Sequence, residues 1–242
     1  MSERNGSPRR GDHAYYPVFL DLAGRPAVVV GGGEAAAGRV ERLRQAGARV
    51  TVIAPSLVPA LAELAAGGEI DWRGREFAAG DLEGARIVVA ERLDRATAAA
   101  VYAEAERRGV FCCVEDDLDH LSFLQPSVVR RGALTVAIST AGAAPALAVR
   151  LRQELEQRLG AAHARFLELA AAVRRPLAER TPDPAERRRR WYRLVDSDVL
   201  DLLAAGEEAA AAGRFVEILG VAPRWKEPPS GAGPGATKLE RR

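Results

Sequence analysis

Gly31, Gly32 and Gly33 stand at the end of an apolar run, Ala27 to Val30, and directly before a helical pattern from Glu34 to Ala46. Residues without a Cβ let a backbone bend tightly and let a phosphate approach its amides, and a helix N-terminus adds a partial positive charge. The chemistry this arrangement could do is the binding of a pyrophosphate. The G-x-G-x-x-G/A spacing is met loosely, by Gly31, Gly33 and Ala36, and a tight turn without a ligand explains the same triplet. The next apolar run, Arg49 to Ala54, ends in Pro55 and Ser56. A dinucleotide-binding fold usually carries an acidic residue there to hold the ribose hydroxyls, so on the general rule this ending counts against a nicotinamide cofactor. Cys112 and Cys113 are adjacent in another apolar run. Neighbouring strand residues point to opposite faces, which favours buried free thiols over a disulfide or a chelate. The run Arg187 to Arg190, beside Trp191 and Tyr192, could hold a polyanion. A solvated helix flank with an aromatic anchor is the favoured account of it.

The elements that must position these residues follow from hydrophobic periodicity. Strands are expected near Val18–Asp21, at Ala27–Val30, Val50–Ile53, near Ile70–Arg73, and at Arg86–Val89, Val110–Val114 and Leu134–Ile138. Helices are expected at 34–46, 57–67 and 95–108. Alternation of this kind over the first part of the chain predicts a mostly parallel, doubly wound α/β sheet. After Pro145 the pattern turns all-helical, with helices at Ala146–Leu159, Ala161–Arg174, 184–195, 197–204 and 206–218. Residues 1–14 and the Pro- and Gly-rich 221–242 are expected to be disordered. The chain has 242 residues, 48% of them hydrophobic, enough for a substantial core in one large or two modest domains. Its net charge of +2 is no argument for nucleic acid, and no run approaches the ~18–20 apolar residues of a membrane span. A soluble cytoplasmic protein is expected, with no nucleic-acid or membrane partner.

Three blocks, in order, carry a resemblance. They are "YYPVFLDLAGRPAVVVGGGEAAAGRVERLRQAGARVTVIAPS", "VFCCVEDDLDHLSFLQPSVVRRGALTVAISTAGAAPALAVRLRQELE" and "RRRRWYRLVDSDVLDLLAAGEEAAAAGRF". Together they resemble the precorrin-2 dehydrogenase/sirohydrochlorin ferrochelatase family, which includes the N-terminal half of bifunctional sirohaem synthase. The resemblance implies NAD-dependent oxidation of precorrin-2 to sirohydrochlorin. Some members also insert ferrous iron to give sirohaem. It implies a homodimer whose fold is a Rossmann-type parallel-sheet domain, then a dimerisation segment, then an all-helical C-terminal domain. The corresponding division here is 15–117 for the NAD-binding domain, 118–160 for the dimerisation and substrate segment and 161–220 for the helical domain.

Residue by residue, the resemblance makes Asp116 the essential aspartate, a general base for the proton lost during oxidation. NAD is implied to lie against Gly31, Gly32, Gly33, Glu34, Ala35, Pro55 and Ser56, the family running A-P where the general rule wants an acid. Ser139, Thr140 and Gly142 match the loop that faces the tetrapyrrole, although helix capping explains a serine and a threonine there equally well. No resident metal is expected; ferrous iron enters only as a chelatase substrate. Ala90, Glu91 and Arg92 stand where relatives carry A-T-D, and Ala35 stands where many carry valine. Such departures keep two alternatives open, a chelatase whose redox step has decayed and a non-catalytic NAD-sensing Rossmann module.

Overall fold

The structure is a computed structural model that describes residues 15–91, 93–117 and 119–223. Of the segments expected to be disordered, 1–14 and 224–242 lie outside the described residues, as does Arg92 of the altered loop; Val221, at the start of the expected tail 221–242, is instead buried in the helical core. The chain divides into two compact units, one of residues up to 126 with 139–144, the other of 127–138 with everything from 145 on.

The first unit is built on five parallel strands. Strands β1 (Pro26–Val30), β2 (Arg49–Ile53), β3 (Asp71–Arg73), β4 (Ile87–Ala90) and β5 (Phe111–Val114) lie in the order β3-β2-β1-β4-β5. Helices α1 (Glu34–Gln45), α2 (Pro59–Ala66) and α3 (Arg95–Arg108) alternate with them. The central strands are apolar on both faces because both are covered. Val28, Val30, Val88 and Ala90 pack with Ala98, Val101 and Ala105 of α3. Ala27, Val29, Ile87 and Val89 pack with Ala36, Val40 and Leu43 of α1 and with Leu61 of α2. Reversal of strand order beside β1 leaves a crevice at the carboxyl ends of β1 and β4, the ligand position of such sheets.

Two buried carboxylates tie down the long connection from β3 to β4. Asp81 accepts from the Ala78 amide at 2.8 Å and from the guanidinium groups of Arg73 and Arg75. Those bonds, the Arg75 pair first, hold its carboxyl down at about 2. Glu104 of α3 accepts from the Gly80 and Leu82 amides and from Arg108.

In the second unit a hairpin of β6 (Ser127–Arg131) and β7 (Leu134–Ile138) precedes helices α4 (Pro145–Arg158), α5 (Ala161–Arg180), α6 (Pro184–Val195), α7 (Val199–Ala204) and α8 (Glu208–Leu219). Gly132, at φ +56°, supplies the left-handed residue of the two-residue hairpin loop. Arg131 donates to the carbonyls of Glu156 and Leu159, satisfying the C-terminal end of α4. Leu169, Val173 and Leu177 of α5 form a core with Leu194, Val199, Ala211, Phe215 and Leu219.

Three expectations are corrected. Val18–Asp21 is not a strand. Its apolar alternation finds no partner edge, and Val18, Phe19 and Leu20 are exposed. Leu134–Ile138 is a strand, but it pairs antiparallel with β6 instead of joining the parallel sheet. Helix α5 continues through Pro176 to Arg180 instead of ending at Arg174, because Leu177 is fully buried beyond the proline. That burial outweighs the hydrogen bond the ring removes.

Candidate functional site

The end of β1 and the end of β4 lie side by side: Val30 pairs with Ala90, and the Glu91 amide donates to the Val30 carbonyl at 2.9 Å. Gly31 and Glu91 therefore leave the sheet together at the crevice. Here a cavity of about 370 Å³ is lined by Gly31, Gly32, Gly33, Pro55 and Ser56, with Glu76 and Glu91 also on its wall. Five of the expected cofactor residues are brought together. Glu34 and Ala35, the first two residues of α1, are exposed and outside the cavity lining.

The three glycines do different jobs. Gly31 has φ +124°, a conformation that L side chains rarely adopt. Gly32 is needed for packing, since a Cβ on it would drive into the Ser56 carbonyl, whose loop is also held by the Val58 amide donating to Gly32 O at 2.8 Å. Gly33 has ordinary backbone angles, φ −86° and ψ −172°, and a Cβ there would meet only the Glu91 carboxylate, 2.9 Å away at Oε1.

The anion place at the start of α1 is filled from within. The Ala36 amide donates to Glu91 Oε1 at 2.7 Å, and the Gly33 amide donates to Glu91 Oε2 at 3.3 Å. These are the first amides of α1, which have no partner inside their own helix. Helix α1 has no side-chain cap at its own N-terminus, so Glu91 supplies that function from across the sheet. This contact is the feature that sequence reasoning missed, although the departure at Ala90-Glu91-Arg92 marked the spot. Ala54 of the cavity wall accepts at its carbonyl from the Trp72 indole at 2.9 Å.

Asp116 lies in the turn after β5, at the carboxyl edge of the sheet. It is exposed and has φ +57°, a left-handed conformation that aspartate and asparagine tolerate. Around it stand Glu115, paired with Arg39 at 2.7 Å, and Asp117, whose Oδ2 lies 2.6 Å from His120 Nδ1. The His120 hydrogen bond holds the Asp117 carboxyl below its usual range. Cys112 and Cys113 are buried and form no disulfide, and burial pushes the Cys113 thiol up.

Ser139, Thr140 and Gly142 form the loop between β7 and α4, which belongs to the first unit. The Ser139 hydroxyl accepts from the Ala141 amide at 3.1 Å and the Thr140 hydroxyl from the Ala144 amide at 3.3 Å. Both act as local caps in the structure, and each hydroxyl keeps its proton to donate elsewhere. Ala141 and Gly142 take positive φ, +52° and +83°. Neither this loop nor Asp116 is part of the cavity lining at the glycines.

In the helical unit the arginine run is mostly structural. Arg187 donates to the Thr181 and Pro182 carbonyls, and Arg189 and Arg190 both pair with Glu186. Among the described residues no group of three or more His, Cys, Asp and Glu side chains could hold a metal ion. No helix among them is long and apolar enough to cross a membrane.

Sheet order, glycine crevice and appended helices define a Rossmann-type α/β protein with an added hairpin and helical unit. Residues 18–127 match a family described as "Putative NAD(P)-binding", 131–158 one described as sirohaem biosynthesis protein central, and 162–219 one described as sirohaem synthase dimerisation region. The chain is 41% identical over 197 residues to siroheme synthase 1 of Serratia proteamaculans, covering 81% of this chain and 41% of that one. It is 37% identical over 231 residues to the siroheme synthase of Methylococcus capsulatus, covering 93% of this chain and 49% of that one. The chain thus spans less than half the length of these curated relatives. A solved structure titled SirC, precorrin-2 dehydrogenase, has the same fold, with a TM-score of 0.70 at 23% identity over 86% of this chain and all of that one. Taken in order, the three matches cover most of the chain as an NAD(P)-binding, a sirohaem-biosynthesis central and a sirohaem synthase dimerisation region, and over the same stretch the chain is similar to siroheme synthases.

Proposed function

We propose that this chain is an NAD-dependent precorrin-2 dehydrogenase that forms sirohydrochlorin for sirohaem synthesis and works as a homodimer. The dimer contact is assigned to α5–α8, which match the family's dimerisation region, in place of the 118–160 segment expected from sequence. The observation that carries the reading is the pair of α1 amides, at Gly33 and Ala36, converging on an anion at the crevice of a sirohaem-family Rossmann sheet.

The residues present fit a dinucleotide. Without a Cβ, Gly33 lets an anion come up to the amides of Gly33 and Ala36, which already hold the Glu91 carboxylate and can hold a phosphate oxygen by the same bonds. Pro55 and Ser56 supply the wall where the ribose would rest. NAD bound there supplies the hydride acceptor. Oxidation of precorrin-2 removes two hydrogens, one as hydride and one as a proton, and Asp116 is the residue proposed to take the proton. Ser139 and Thr140, with their amide-capped hydroxyls, and the Gly142 loop are proposed to donate to carboxylates of the tetrapyrrole. Iron insertion would ask the same of Asp116, which would then take pyrrole protons displaced by ferrous iron. The test is anaerobic incubation of the protein with precorrin-2 and NAD, followed by absorbance: sirohydrochlorin must form with NAD and not without it.

A further inference from the structure

Among the described residues, Glu91 is the carboxylate that reaches across the sheet to the Gly33 and Ala36 amides. Its Oε1 accepts from Ala36 at 2.7 Å and its Oε2 from Gly33 at 3.3 Å, and the two oxygens lie 2.9 and 3.3 Å from where a Cβ on Gly33 would stand. Its side chain also crowds Gly31, where an added Cβ would meet Oε2 and Cγ. The backbone cannot drift away from this contact, because the Glu91 amide is fixed to Val30 and residue 90 is fixed to β1. A second acid, Glu76, shares the cavity wall, and no lysine or arginine is among the described residues that line it.

We propose that Glu91 is a built-in competitor for the pyrophosphate of the dinucleotide. This inference rests on the NAD reading given above. The same two amides cannot serve the carboxylate and a phosphate oxygen together, and two anions at one helix N-terminus repel. Dinucleotide therefore enters only as the Glu91 side chain swings out. Displacing it forfeits two charge-assisted hydrogen bonds, which the phosphate then replaces. The net effect is a cofactor affinity lower than the glycine cradle would otherwise provide, and a site that is closed by its own chain when no nucleotide is present.

The charge argument predicts a selective effect. Glu91→Ala and Glu91→Gln should bind NAD and ADP at least tenfold more tightly than the unsubstituted protein. Their affinity for adenosine, which has no phosphate, should be unchanged. Glu91→Ala should also melt at a lower temperature without nucleotide, since the Gly33 and Ala36 amides lose their cap. Saturating ADP should restore it. Glu91→Gln keeps the size and an acceptor oxygen, and stands in should the alanine variant fold poorly. Binding is read by Trp72 fluorescence and calorimetry, independently of turnover. If the unsubstituted protein binds NAD and ADP as tightly as both variants, the competitor role is overturned while the NAD reading survives. A gain for adenosine equal to that for ADP overturns it too, because the effect is then one of space and not of charge. Should neither variant nor the unsubstituted protein bind NAD or ADP, both the competitor role and the NAD reading fall.

Discussion

Replacing Asp116 by asparagine removes a proton acceptor while keeping the size of the side chain and the backbone conformation the turn requires. The residue sits at φ +57°, where asparagine is as comfortable as aspartate, so the turn after β5 should keep its shape. Alanine at the same position pays a left-handed cost of roughly 1–2 kcal/mol. That cost corresponds to a melting point lowered by a few degrees in a unit of this size. The two variants thus separate chemistry from folding. Asp116→Asn should melt with the unsubstituted protein and bind precorrin-2 and NAD unchanged, yet oxidise precorrin-2 more slowly by ~10²–10⁴, the usual worth of a general base. Asp116→Ala should be no faster, and less stable. The assay is single-turnover oxidation at saturating NAD, with ferrous or cobalt insertion followed in parallel. Oxidation by Asp116→Asn at nearly the unsubstituted rate would refute the role and return Asp116 to the turn. Loss of oxidation with metal insertion intact would show that the two steps do not share this carboxylate.

Gly33→Val should still fold, somewhat less stably because its Cβ pushes the Glu91 carboxylate off the α1 amides, and lose NAD binding at least tenfold; undiminished NAD binding would show that the glycines serve the turn alone. Gly32→Val should instead destabilise the unit itself, read as a lowered urea midpoint, since its Cβ would collide with the Ser56 backbone. Asp81→Asn should lower stability at neutral pH. The folded carboxyl lies at about 2 against 3.8 unfolded, so its contribution is fully present above 3.8 and fades as pH falls through about 2. Urea midpoints of the two proteins should therefore converge in acid, and a constant gap across that range would contradict the role given to the Arg73 and Arg75 pairings.

What could be read from sequence was local or periodic. The all-apolar run Ala27–Val30 announces a strand covered on both faces, and the helices expected at 34–46, 57–67 and 95–108 appear as α1, α2 and α3 within a few residues of those bounds. The glycine triplet and Pro55-Ser56 could be assigned to one cavity because the strand–helix–strand order forces their ends together. What escaped was non-local. Glu91 meets Gly33 and Ala36 across 58 and 55 residues of chain, and no pattern within a helix or strand reports such a meeting. Strand β6 reads as a short, half-polar run, Ser-Val-Val-Arg-Arg, and becomes a strand only through its pairing with β7. The expected strand at Val18–Asp21 shows the converse, an apolar alternation that has no edge to join. The helix expected to end at Arg174 runs on through Pro176 to Arg180, because burial of Leu177 decides the matter in the folded unit.

The central claim is that this chain oxidises precorrin-2 with NAD through Asp116 and the glycine crevice. Its most direct test is an anaerobic single turnover with excess protein, measuring sirohydrochlorin and NADH together. The account predicts one NADH for each sirohydrochlorin formed, with both lost in Asp116→Asn and in Gly33→Val. Formation of sirohydrochlorin without NADH, or no oxidation by a protein that binds both NAD and precorrin-2, would contradict it.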